Sequence, residues 1–187
     1  MSFKYLLAGT MIASALMISG SPEAQPPAPP TSNMPATNAT LPSREFADKA
    51  AITGKYEIEA ARIAEERSHN PAIDQFAAQM IRDHSRNNAE LKETAMRVGI
   101  RLPMHLDREH AGLIAQLRSV GPRRFNAIYA QQQVQGHQDA VAMFASYARN
   151  GDNPRLRRYA RMSLPILQHH LDMAQALPTE PRVARSR

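Results

Sequence analysis

Long stretches in which apolar residues return every three or four positions alternate along this chain with short stretches where they disappear. From Ser43 to Leu177 that spacing sustains four long amphipathic segments, the pattern of helices that bury one stripe against their neighbours. The first reads from Ser43, as N-cap with Glu45 in the first turn, to about Ser68. Asn70-Pro71 is a cap-and-start signal for the second, which continues to Val98 and stops at Gly99, with Pro103 just beyond. A shorter amphipathic segment spans Asp107 to about Ser119, with Leu113, Ile114 and Leu117 as its apolar positions, and Gly121-Pro122 breaks it. The third long helix covers about Pro122 to Arg149 and is closed by Asn150-Gly151. Asn153-Pro154 opens the fourth, which ends near Leu177 before Pro178. No stretch sustains period-two alternation between turn signals, so no strand is predicted.

These elements predict an all-α protein, an antiparallel four-helix bundle with a short extra helix in the connection between helices 2 and 3. At 1.5 Å per residue the short helix reaches ~20 Å, enough to carry the chain back along the bundle. Such a crossover is the ferritin-like arrangement, whereas uniformly short loops give up-down-up-down.

The four seams can be written out. They read Phe46, Ala50, Thr53, Glu57, Ala60 and Ala64; Ile73, Ala77, Met80, His84, Asn87 and Leu91; Ala127, Ala130, Val134, His137, Val141, Phe144 and Ala148; and Leu156, Ala160, Ser163, Leu167, His170, Ala174 and Leu177. Each carries one ionisable residue near its middle: Glu57, His84, His137 and His170. Counted from the first hairpin at Asn70, Glu57 and His84 fall on one level. Counted from Gly151, His170 falls about five residues further out than His137, an offset of ~7 Å.

A buried carboxylate is costly unless paired, protonated or coordinated. Two readings of the constellation follow. Glu57, His84, His137 and His170 converge as ligands of a divalent transition metal, with Zn, Fe, Cu or Mn suited to that donor set. Alternatively, Glu57 bonds one histidine and the others are ordinary core histidines of a non-enzymatic envelope stress or interaction module. Di-iron bundles use Glu-x-x-His on two helices, but Ile81, Val134 and Leu167 stand three residues before the histidines here. A ferroxidase site is therefore disfavoured, and no catalytic residue is assigned. Asp83 points about 100° away from His84 on its helix and reads either as a supporting partner for another seam residue or, in preference, as a surface charge; His169, off the fourth seam, reads as exposed. Pro165, inside the fourth helix, predicts a bend before His170.

The strings Gly54-Lys55-Tyr56-Glu57, Met80-Ile81-Arg82-Asp83-His84, Gly136-His137 and Leu164-Pro165-Ile166-Leu167-Gln168-His169-His170-Leu171 resemble an exported bacterial family of ferritin-like proteins. It is the domain-of-unknown-function family numbered 4142, whose members are often labelled outer-membrane proteins. The resemblance covers roughly residues 43–177 and implies the bundle fold and an envelope location. It implies no activity and carries over no catalytic residues. The outer-membrane label sits badly with a chain that has neither barrel strands nor a lipoprotein cysteine.

Composition changes this picture at the two ends of the chain. Residues 1–21 read as an export signal: Lys4 precedes a mostly apolar stretch from Tyr5 to Ile18, and small residues follow at Ser19, Gly20 and Ser21. That run is shorter than the ~20 residues a membrane span requires. Residues 22–42 hold seven prolines and little to bury, as in a disordered linker. The bundle domain is 43–177, and 178–187 is a basic, disordered tail suited to weak contact with an anionic envelope surface. With no cysteine, disulfides and thiolate sites are excluded. The net charge of +6 includes Arg155, Arg157, Arg158 and Arg161, but no aromatic residues are interleaved with them, which argues against a nucleic-acid platform. The expected product is periplasmic or secreted, or inner-membrane anchored if the signal is retained. Mass spectrometry of the protein from fractionated cells should find a mature terminus near Gly20 to Ala24 in the soluble envelope fraction. An intact Met1 terminus in the inner membrane would identify an anchor instead.

Overall fold

The computed structural model describes residues 41–179, so the expected signal at 1–21, nearly all of the linker at 22–42 and most of the tail at 178–187 lie outside the described residues. Five helices follow one another: α1 (Ser43–Arg67), α2 (Pro71–Arg97), α3 (Arg108–Ser119), α4 (Pro122–Asn150) and α5 (Pro154–Gln175). Among the described residues there is no strand, and no helix is long and apolar enough to cross a membrane.

The helix boundaries have local causes. Asn70 accepts from the Ala72 amide and Asn153 from those of Arg155 and Leu156, each just before a proline whose missing N–H would have been unpaired anyway. Asp107 caps α3 through the His110 amide. Gly99, at φ 72°, takes the left-handed turn that ends α2. Ser43 departs from its expected role. It lies inside α1, Pro42 occupies the cap, and its hydroxyl donates to Asp152 at 2.5 Å. That bond ties the start of α1 to the turn between α4 and α5.

Two hairpins, α1–α2 and α4–α5, pack side by side, with α2 against α5 and α1 against α4. The start of α1 meets the end of α4 through Ser43, Asp152 and Tyr147, and the starts of α2 and α4 meet through Phe76 and Tyr129. Adjacent helices are thus antiparallel while α2 and α4 run the same way, which requires α3 to return the chain along the bundle. Arg67 anchors that return, donating to the Leu117 and Val120 carbonyls at the end of α3 and lying 5.0 Å over the Phe125 ring. A cation there complements the negative end of the α3 dipole.

The core forms two apolar clusters. One gathers Tyr56, Ile73, Phe76, Met80, Leu117, Phe125 and Tyr129, and the other Phe46, Leu91, Phe144, Tyr147, Leu156, Tyr159 and Leu167. Glu57, His84, His137 and His170 belong to neither and are buried between them. The fourth seam is buried at all seven predicted positions. In the second cluster Phe46 and Tyr147 stack at 3.9 Å between centroids. A Cβ at Gly151 would come within 2.5 Å of the Tyr147 ring, which the stack holds in place. Gly151→Ala should therefore cost about 1–3 kcal/mol of stability through overpacking. Urea denaturation measures it, and a midpoint equal to wild type would show that the ring yields.

Candidate metal centre

Each member of the polar layer is carried by a different helix: Glu57 by α1, His84 by α2, His137 by α4 and His170 by α5. Three of them come together. One ring nitrogen from each of His84, His137 and His170 lies within 4.8 Å of the others, and their ring centroids are 5.2–5.8 Å apart. All three are buried, with relative exposures of 4%, 1% and 0%. His170 is thus brought to the level of His137, against the offset counted from the loop. His137 lies thirteen residues before Asn150 and His170 sixteen after Pro154, so measured from the helix ends the mismatch is ~4.5 Å, within reach of two imidazoles.

Hydrogen bonds fix which nitrogen of two rings is free. His137 donates from Nδ1 to the Gln133 carbonyl one turn earlier, at 2.9 Å, and its Nε2 has no partner. His170 donates from Nε2 to Asp83 Oδ2 at 3.0 Å, and its Nδ1 has none. His84 also buries an unpaired Nε2. Each ring thus buries one unpaired nitrogen, an arrangement that suits a cation. Asp83 is held in turn by the Gln79 side-chain amide at 2.5 Å. It is therefore a half-buried support for His170, the alternative to the preferred surface-charge reading; the 100° offset that removes it from its own seam aims it at α5.

Glu57 stands to one side of this trio. Its Oε1 is 4.0 Å from His137 Nδ1, the nitrogen that faces Gln133. Neither oxygen forms a hydrogen bond, and the adjacent Gln133 amide is likewise unbonded. Burial raises the Glu57 carboxyl to about 8, against a weaker lowering by the Gln133 side chain. At neutral pH it is mostly protonated.

The histidines shift the other way. Burial holds His84 well below the ordinary histidine value, and the neighbouring His137 and His170 depress it further. Burial lowers His137 to about 4, opposed by its bond to the Gln133 carbonyl. It lowers His170 too, opposed by Asp83. For Asp83, the bonds from His170 and Gln79 outweigh burial and keep the carboxyl below its usual value. The centre therefore consists of neutral imidazoles whose lone pairs are available at physiological pH, the protonation state a metal requires.

The family model of a domain of unknown function, DUF4142, matches residues 28–177, most of the chain and all five helices. The chain belongs to that family. No curated protein matches the sequence. Among solved structures, a DUF305 fragment from Deinococcus radiodurans superposes with a TM-score of 0.62 at 16% identity, covering 71% of this chain and 91% of that one. CopM in its Cu(II)-bound form gives 0.62 at 17% identity, with 73% and 95% covered. Its Cu(I)-bound form gives 0.61 at 16%, with the same coverage. At these identities the likeness establishes the fold that this DUF4142 member shares with them.

The opposed shifts predict how the metal-free bundle responds to pH. The unfolded chain protonates its histidines near 6.5 while the fold resists, so stability falls as pH drops below about 6.5, through about 4 for His137. Glu57 acts in reverse. The unfolded chain ionises it near 4.5 while the fold keeps the proton to about 8, so stability also declines as pH rises across that window. Three histidines outweigh one carboxyl on the acid side, which places the optimum near pH ~6.5–7. Melting followed by circular dichroism from pH 4 to 9 in a chelator should show it, and Glu57→Gln should flatten the alkaline decline while leaving the acid one.

Proposed function

We propose that this bundle is an envelope metal-binding protein that holds one copper ion through His84, His137 and His170. The observation that carries the proposal is the convergence of three buried histidines from three helices, one ring nitrogen of each within 4.8 Å of the others, together with an unpaired nitrogen on every ring. Left bare, each forgoes a hydrogen bond worth about 1–3 kcal/mol in desolvation, and a single ion relieves all three at once. Imidazole suits Cu, Zn and Fe, and copper forms the strongest complexes among the divalent ions of that series. Three neutral donors also complete a shell for Cu(I), while a structural zinc site takes four ligands. CopM, solved with Cu(I), Cu(II) and Ag bound, has the same fold, which supports the copper reading without locating its site here.

Asp83 and the Gln133 carbonyl serve as outer supports, each fixing a tautomer and a ring orientation. Glu57 lies 4.0 Å from the Gln133-facing nitrogen of His137 and stands outside the proposed ligand set. The export signal and linker expected from the sequence support a location outside the cytoplasm for this binding function.

Metal binding to the fold alone raises stability by RT ln(1 + [L]/Kd), about 2.7 kcal/mol at a hundredfold excess over Kd. Copper should raise the melting temperature of wild type more than Zn, Mn or Fe(II), a chelator should reverse the gain, and His84→Ala should abolish it. A wild-type melt indifferent to all four metals would reject the proposal in favour of a purely structural polar core.

A further inference from the structure

An ion bound between histidines that are at most 4% exposed needs a way in, and one groove leads towards them. It has a volume of about 710 Å³ and runs between α1 and α4, with α3 closing one end. Leu113, Ile128 and Met143 contribute apolar wall. Its rim carries Asp107, Glu109 and Asp139; Asp107 is bonded to His110 at 2.7 Å, and Lys49 is paired with Glu45 at 2.9 Å, which leaves Glu109 and Asp139 without a cation among the described residues. The opening is therefore net negative.

At the floor lie Glu57 and Gly136. Glu57 is 1% exposed and neither of its oxygens has a hydrogen-bond partner. Gly136 precedes His137 on α4, and a Cβ there would sit 3.1 Å from Glu57 Oε1. The missing side chain leaves the carboxyl at the groove's inner end, and the same oxygen is 4.0 Å from His137. Two smaller recesses, one between Lys55 and Arg118 and one beside Ala174, touch neither Glu57 nor the histidines. On the α2–α5 side, half-buried Asp83 is engaged by Gln79 and His170.

We infer that the α1–α4 groove is the vestibule through which a metal cation reaches the histidine centre, with the Glu57 carboxyl as the transfer contact beside Gly136. The inference rests on the metal-binding proposal. The acidic rim concentrates cations, Glu57 exchanges with the solvent-side shell of the ion, and a turn of the Glu57 side chain passes it inward beside the fixed His137 ring. Glu57 acts on the rate of loading, and the histidines set the affinity.

The test is the rate of Cu(I) transfer from its coloured bicinchoninate complex to the full chain in stopped flow, with affinity measured separately by chelator competition. Gly136→Leu, which fills the gap, and the isosteric Glu57→Gln should each slow uptake about tenfold, equivalent to ~1.4 kcal/mol on the barrier, with affinity within about threefold of wild type. Gly112→Ala is the control, since its Cβ enters open space. Because Gly136→Leu risks misfolding, Glu57→Gln alone decides if only it folds. Uptake at the wild-type rate in the folded variants would overturn the vestibule. So would an unchanged on-rate with faster release in Glu57→Gln, which would make Glu57 a resident ligand. Wild type that binds Cu(I) with neither variant slowed leaves the metal-binding proposal standing, whereas wild type that takes up no Cu(I) removes both.

Discussion

Placing four ionisable side chains at one level inside a helical bundle is the constraint to which the rest of this structure answers. Each unpaired polar group costs about 1–3 kcal/mol in a dry interior, and here the groups are crowded together. The fold surrounds them with apolar packing. One cluster around Phe76, Leu117 and Tyr129 and another around Phe46, Tyr147 and Tyr159 flank the polar layer on either side. Helix-end anchors, from Ser43 to Asp152 and from Arg67 to the end of α3, hold the helices at the register that brings the layer together.

Within the layer the four groups are not equivalent. His137 and His170 each give one proton to a fixed acceptor, a backbone carbonyl in one case and Asp83 in the other. Those bonds hold the rings in place and turn their remaining nitrogens into acceptors without partners. Glu57 differs: it is buried beside the Gln133 side chain with neither oxygen hydrogen-bonded, and burial keeps it largely neutral.

Much of this was legible in the chain because bundle seams obey a simple period. The four helices, the short crossover and the burial of Glu57, His84, His137 and His170 all follow from apolar spacing and from Asn-Pro and Gly-Pro punctuation. Four features were not. The level of His170 depends on where α4 and α5 begin and end, which loop counting misplaces by several residues. Asp83 was set aside because it lies off its own seam, yet the α2–α5 contact makes that offset face the one that counts. The Gln133 carbonyl carries no side-chain signal at all, although a histidine four residues after any helical residue is positioned to find that carbonyl. The groove arises from how α3 wedges between α1 and α4, a tertiary fact with no local pattern.

The two hairpins have unequal shares in the centre. α1–α2 supplies His84, while α4–α5 supplies His137 and His170, and Asp83 reaches across from the first hairpin to brace a ring of the second. Elsewhere the hairpins are joined by the Ser43–Asp152, Tyr56–Gln132 and Ser163–Asn87 hydrogen bonds, set in apolar packing that has little register preference of its own. The His170–Asp83 bond is directional, and an ion shared by all three rings would be more so. The centre then acts as a mechanical index for the molecule: it closes when the hairpins are docked in one alignment, and helices slipped by a single turn would have nothing to share.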